Sequence, residues 1–285
     1  MANTIASRVY RDKYRSNTIS TLLRGAMVTE AVTMVDRSAN KRIQSPYGST
    51  PTVVVQALAG TYTPTDFTTT DENLDVTDEF VVSEHIRDFE SLLSNFDLFA
   101  SRTEQMAFNV AKKIDEFVLN NLCEDGTGVY TTPVGGFVTA SNINPIFANI
   151  VSQLSGYADG YWGNMYCVLE NTDMVGVIQA KATNGFVTTD TTLTNGKVDS
   201  YLGVDIYVVR AGTFTDATVG TKTWTNLGHR VAGIKKISTV GMPGGVKTEE
   251  KMVSGKTGME VATFGYIGYK HWTPTLTQTI DITLA

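Results

Sequence analysis

Cysteine is nearly missing from this chain of 285 residues. The two that occur, Cys123 and Cys167, have neither the spacing of a metal knuckle nor the number a disulfide framework needs. They read as buried free thiols in a reducing compartment. Charge is also scarce: Asp, Glu, Lys and Arg make up 18% of the residues, below the usual quarter. A surface so poor in charge points to cover by other chains. The net charge of −6 speaks against a sequence-nonspecific DNA binder, which would carry a basic face. No apolar run approaches the ~18–20 residues that span a bilayer. The opening stretch Met1–Tyr10 has no apolar core of a signal peptide, so the expectation is synthesis in the cytoplasm with no membrane partner.

The marks of catalysis are equally thin. His85, His229 and His271 lie far apart, and none belongs to an HExxH or HxH pair. There is no G-x-S-x-G elbow, and no Asp or Glu pairs into a recognisable acid/base constellation. Gly255-Lys256-Thr257 ends like a phosphate-binding loop, but Glu250 stands where that motif needs its first glycine, and a hairpin turn is the plainer reading. No catalytic, cofactor-binding or metal-ligating residue is expected, and the enzyme reading has no positive argument.

What the chain has in abundance is threonine, about one residue in seven, with runs at Thr61–Thr70 and Thr188–Thr194. Threonine suits half-buried strands and extended loops. With 42% hydrophobic residues the chain can bury a substantial core, as one elaborate domain or two joined ones.

Along the chain, residues 1 to about 47 have little apolar periodicity. Within the first 24, Arg8, Arg11, Lys13, Arg15 and Arg24 face only Asp12, a local +4, which reads as an arm lacking a core of its own. From about 49 to 88 the pattern is strand-like. Val53–Leu58 and Glu79–Arg87 read as extended arms around a polar tip that includes Thr68–Asp75. Such an excursion cannot bury both faces within one subunit. Ser101-Arg-Thr-Glu104 has capping-box form and opens the best helix, with Met106, Ala107, Val110, Ala111, Ile114, Phe117, Val118 and Leu122 on one face. At about 22 residues it spans ~33 Å. Asn144-Pro145 predicts the start of a second amphipathic helix. Met165–Leu169 reads as a buried strand, Asn171–Ala180 as a short helix, and Val204, Ile206 and Val208 alternate after Gly203. His229–Ile237, two strands within Glu249–Lys270, and Thr275–Leu284 complete a strand-rich end. Helices and strands interleave, so the class is α+β or α/β in the middle unit and α+β overall.

Asp71, Glu72, Asp75, Asp78, Glu79, Glu84, Asp88 and Glu90 form an acidic band interrupted only by Arg87. It is either a solvated face or the surface on which the basic arm of a neighbouring copy lies.

In this order the segments resemble the major capsid proteins of tailed bacteriophages, which have the Hong Kong 97-type coat fold. The resemblance is most specific at Phe80-Val-Val-Ser-Glu-His-Ile-Arg-Asp-Phe-Glu90, Asn95-Phe-Asp-Leu-Phe99 and Ala107-Phe-Asn-Val-Ala-Lys-Lys-Ile-Asp115, where a strand leads into a spine helix with an Ala-x-x-Ile-Asp-like element. Gly203-Val-Asp-Ile206 and Phe264-Gly-Tyr-Ile-Gly-Tyr-Lys270 are similar to later strands of the family. The resemblance covers 80–285 closely, and 1–79 by position and character. It implies an N-arm at 1–47, an E-loop at 48–79, a peripheral domain at 80–142 and 236–285, and an axial domain at 143–235. It implies a subunit that assembles with itself into pentamers and hexamers of an icosahedral head around double-stranded DNA, held by containment rather than sequence. Scaffolding, portal and decoration proteins are the further partners it brings, with the virion as final location after assembly in the host cytoplasm. No cofactor is implied. No long scaffolding segment precedes the arm, which points to a separate scaffolding protein or none. The contact residues expected between subunits are Arg8, Arg11, Lys13 and Arg15 on one side and Asp71, Glu72 and Asp75 on the other. An encapsulin-type storage shell and a β-rich phage tail or glycan-binding module are the rival readings.

Overall fold

The structure is a computed structural model that describes residues 27–38, 42–48, 69–86, 98–155, 164–183, 197–252, 259–272 and 278–285. In chain order it contains a helix Met27–Val32 (α1), strands Met34–Asp36 (β1), Arg42–Gly48 (β2), Thr69–Asp75 (β3) and Asp78–Ile86 (β4), and a long helix Leu98–Glu124 (α2). Strand Gly128–Thr131 (β5) and a 3-10 turn Gly136–Val138 lead to helix Ala140–Ser155 (α3), strand Met165–Glu170 (β6) and helix Met174–Thr183 (α4). Two hairpins follow, Lys197–Tyr201 (β7) with Val204–Val209 (β8), and Asp216–Val219 (β9) with Lys222–Thr225 (β10). The last strands are His229–Ile234 (β11), Ser238–Gly241 (β12), Lys247–Met252 (β13), Met259–His271 (β14) and Thr279–Thr283 (β15).

Two sheets share the long helix. The six-stranded sheet runs β5-β15-β11-β6-β8-β7, with β5/β15 and β6/β8 parallel and the other pairs antiparallel. Period-two alternation splits its side chains cleanly. Tyr166, Val168, Tyr207 and Val231 face α2, while Met165, Cys167, Leu169, Ile206, Ile280 and Ile282 face α3 and α4. A sheet covered on both faces needs strands apolar throughout, and all six residues of β6 are buried. In the second sheet β14 is the axis. Its first half pairs with β4 on one side and β13 on the other, and its last residues pair with β12, beyond which lies β1. Val240, Ile267 and Tyr269 of this sheet pack into the same cluster as Val110, Ile114, Phe117 and Val118 of α2. The long helix therefore fills the seam between the sheets, and the stripe read from the sequence is the face it buries.

Several elements differ from their sequence reading. The long helix starts at Leu98, so Ser101-Arg-Thr-Glu104 lies inside it. Leu98 and Ala100 are strong helix formers that carry the helix past the capping pattern. The second helix starts at Ala140, with Pro145 inside it. Thr139 is the extended residue before it, and Asn144 accepts a hydrogen bond from the Tyr201 hydroxyl instead of capping. Pro145 leaves the carbonyl of Ser141, in the first turn, without its helical donor, and burial of Ile143, Ile146, Phe147, Ile150 and Leu154 outweighs that loss. The polar stretch Thr69–Asp75 is itself a strand, paired with Arg42–Gly48, and Met27–Val32 is a helix within the segment read as an unpatterned arm. The strand read as His229–Ile237 ends at Ile234. Lys236 takes φ 66°, and the chain crosses to the second sheet at Ser238. Leu202 and Gly203 have φ 50° and 82°, the two positive values that a type I′ hairpin requires. Val53–Leu58, Thr188–Thr194, Asp88 and Glu90 fall outside the described residues.

Candidate interaction surfaces

The β2–β3 pair forms a separate two-stranded ribbon, registered from Arg42 opposite Asp75 to Gly48 opposite Thr69. A two-stranded ribbon does not bury its own faces. Asp71 and Asp75 are exposed on it and Glu72 is half-buried. Arg42 Nε lies 3.3 Å from the Asp75 carboxylate and Lys270 Nζ 3.9 Å from that of Glu72. The Arg42–Asp75 pair is exposed on both sides and contributes ~0–1 kcal/mol. The three acidic residues expected at a contact thus share one strand. Their expected basic counterparts Arg8, Arg11, Lys13 and Arg15 lie outside the described residues.

The ribbon is anchored at its root. Leu74 is buried there, and a Cβ placed on Gly241 would sit 2.8 Å from Leu74 Cδ2. One on Gly268 would sit 2.7 Å from the Asp75 carbonyl oxygen. β12 and β14 therefore carry glycines where the ribbon presses against them. On the ribbon's other flank, Asp78 leaves the acidic band in which the sequence placed it and is buried. Its Oδ1 accepts the Thr221 backbone N–H at 2.8 Å, and its Oδ2 accepts the hydroxyls of Thr221 and Thr77, each at 3.0 Å. Thr221 follows Gly220 in the turn of the β9–β10 hairpin. Gly220 has φ 58°, and a Cβ on it would lie 2.1 Å from Asp78 Oδ1. The hairpin itself lies along α2. Trp224 is buried edge-on against Phe117, with ring centroids 5.9 Å apart, and Glu124 accepts the Thr225 N–H at 2.9 Å. Asn120 Nδ2 donates to the Thr213 carbonyl, and Asn226 Nδ2 donates to the Asn120 carbonyl. Sequence reading missed this site. Asp78 and Thr221 are 143 residues apart, and the one local hint was Gly220 in the turn, just before Thr221.

Asp115, the last residue of the Ala-x-x-Ile-Asp-like element, is buried on α2. It accepts the Thr29 N–H at 3.0 Å and the Thr29 hydroxyl at 2.5 Å. Burial raises its pKa to about 7, against the partial offset of the two Thr29 hydrogen bonds. Lys236 closes the other end of α1 by donating to the carbonyls of Glu30 and Thr33. In the six-stranded sheet Arg230 donates to Glu170 at 3.0 Å and to Asp173 at 2.5 Å, and Glu170 also accepts the backbone N–H of Gly212 at 2.9 Å. All three charged side chains are buried, which makes this a structural knot joining β6, β11 and the loop after β8.

The histidines are held separately. His229 Nδ1 lies 2.8 Å from Asp281 and His271 Nδ1 2.8 Å from the Ser238 hydroxyl, while the buried His85 Nε2 has no partner among the described residues. Cys123 and Cys167 are free and buried, as expected, and burial pushes both thiols up. Among the described residues no group of three or more His, Cys, Asp or Glu could hold a metal ion. No described helix is long and apolar enough to cross a membrane. Gly255-Lys256-Thr257 lies outside the described residues, between two strands paired antiparallel, so the element after it is a strand and not the helix of a phosphate-binding loop.

No family model matches the sequence, and no curated protein matches it. Solved structures do match. The chain is similar to the capsid structure of the cyanophage P-SCSP1u, with 15% identity, TM-score 0.69, and 89% of this chain and 86% of that one covered. It is similar to the mature capsid of bacteriophage PhiM1, with 11% identity, TM-score 0.66, and coverage of 89% and 85%. A virus-like particle from Pyrococcus furiosus matches at 10% identity and TM-score 0.62 over 96% of this chain and 99% of that one.

Proposed function

From the Hong Kong 97-type coat fold that this chain has, we propose that it is the major capsid subunit of a tailed bacteriophage, which assembles with itself into an icosahedral head around double-stranded DNA. The observation that carries the reading is the extent of the likeness. It runs over most of both chains in separate capsid structures. The ribbon adds a physical reason. It projects two strands that cannot bury their own faces, and a neighbouring copy would supply the missing cover.

Within this reading the segments 1–47 and 48–79 are the N-arm and E-loop. The long helix with the β14 sheet forms the peripheral domain, and the α3–α4 unit on the six-stranded sheet forms the axial domain. Strands β5 and β15, at 128–131 and 279–283, pair in the six-stranded sheet and tie the two units together. Arg8, Arg11, Lys13 and Arg15 of one copy lie against Asp71, Glu72 and Asp75 of the next. Scaffolding, portal and decoration proteins are further partners, DNA is held by containment, and assembly takes place in the host cytoplasm before the subunit becomes part of the virion.

Expression of the full chain alone, followed by size exclusion and negative-stain microscopy, tests the reading. Closed shells, tubes, or discrete pentamers and hexamers are expected; a stable monomer at high concentration would overturn it. The likeness to the virus-like particle from Pyrococcus furiosus, nearly complete over both chains, keeps a shell as the common element of a second reading, the encapsulin-type storage compartment. DNA against protein cargo in purified particles separates the two.

A further inference from the structure

The ribbon root has an arrangement that a simple surface excursion does not need. Between the end of β3 at Asp75 and the start of β4 at Asp78 there are only two residues, so whatever fixes Asp78 fixes the direction in which the ribbon leaves the subunit. Asp78 is held on three donors, two of them from Thr221 at the tip of the β9–β10 hairpin, which forms a two-stranded sheet of its own. The hairpin is in turn pinned to the rigid long helix by Trp224 and by Glu124. Opposite the clamp, Gly241 and Gly268 leave no room for the root to tilt inward.

We infer that Asp78 is the positioning residue of the ribbon: its clamp on Thr221 sets the ribbon's angle to the long helix, and through that angle the curvature at which copies meet. The inference rests on the coat reading for its last step, since curvature has meaning only in a shell. The first step stands on geometry alone. The Asp78 carboxylate faces a backbone N–H and a hydroxyl at hydrogen-bond distance, and a charge-assisted pair of this kind is among the stronger restraints a loop can have. Gly220 is the residue type the clamp demands. It supplies the left-handed φ, and any side chain there would enter the carboxylate.

The test uses the full chain carrying Asp71→Cys and Lys113→Cys, exposed positions on the ribbon and the long helix, in a protein whose two native cysteines are buried. Spin labels at these sites report ribbon-to-helix distances in unassembled subunits, and microscopy of the same clamp variants made in the chain without the two added cysteines reports particle diameter. Asp78→Ala is expected to widen the distance distribution about twofold and to spread particle diameters. Thr221→Val, which removes one donor and keeps the carboxylate, is expected to act in the same direction with smaller effect, and serves if Asp78→Ala does not fold. Asn142→Ala, which removes the amide that ties α3 to the carbonyls of Val134 and Gly136 and touches no part of the clamp, is expected to leave both readouts at the parental value while lowering the melting temperature. An unchanged distribution in both clamp variants, or an equal widening in Asn142→Ala, would overturn the inference. Absence of particles from the parental chain would sink the coat reading instead, and the distance measurement would still decide the role of Asp78.

Discussion

Asp115 is a carboxyl group that the fold holds closer to neutrality than to acid. With its pKa raised from the ordinary 3.8 to about 7, the native state binds a proton that the unfolded chain releases. The stabilising share of that proton is present below pH 4 and is lost as pH rises towards 7, on the order of 3–4 kcal/mol across the window. Denaturation midpoints of wild type and Asp115→Asn should therefore converge or cross as pH rises from 4 to 7, because only the wild type has this slope. His271 works in the opposite sense. Burial, then the nearby Lys270 charge, lowers its pKa from 6.5 to about 4, and its Nε2 has no partner among the described residues to receive a charge-assisted bond. Its contribution is present above pH 6.5 and lost as pH falls towards 4, so His271→Gln should flatten the acid limb of the stability profile. A third residue-scale expectation concerns Arg230. Its replacement by Met strands Glu170 and Asp173 as buried carboxylates and should cost about 3–5 kcal/mol in chemical denaturation.

At the scale of elements, close approach decides more than propensity does. Helix α4 packs onto the 3-10 turn Gly136–Val138 so tightly that a Cβ on Gly176 would lie 2.1 Å from the Phe137 carbonyl oxygen. Gly176→Ala, a helix-favouring change on paper, should destabilise the fold by 1 kcal/mol or more, measurable as a lowered urea midpoint. Elements with a strong apolar period were legible in the sequence. The stripe from Met106 to Leu122, the buried run Met165–Leu169 and the even-numbered face Ile280–Ile282 all lie where their spacing put them. Elements whose reason is a partner far along the chain were not. Residues 69–75 are polar except for Leu74, which anchors the ribbon at its root, and one apolar residue sets up no alternation to read. Met27–Val32 is too short for periodicity and exists because Asp115 and Lys236, from distant parts of the chain, hold its two ends. The same applies to the candidate site: the acidic residues of β3 could be read as a group, but the withdrawal of Asp78 from that group depends on a hairpin tip 143 residues away.

For the whole molecule, the low share of charged residues, 18%, bears on the proposed coat function. Under that proposal electrostatics acts by accumulation: a contact worth a fraction of a kcal/mol per copy becomes decisive when it repeats around a closed lattice. Reversing Arg11 and Arg15 to Glu should leave the subunit's melting temperature within a few degrees of wild type and reduce the yield of closed particles, most sharply at low salt, where screening is least. Normal particle yield from that variant would remove the arm from the contact.

Strand β15 sits inside the six-stranded sheet, between β5 and β11, and carries Ile280 and Ile282 into the core. Its register sets Ile280 against Gly128 on one side and Ala232 on the other, so the sheet closes only when stretches from both ends of the α3–α4 unit have met. Such a strand works as a latch: its contacts lie far apart along the chain, and closure of the sheet is slow and cooperative for that reason.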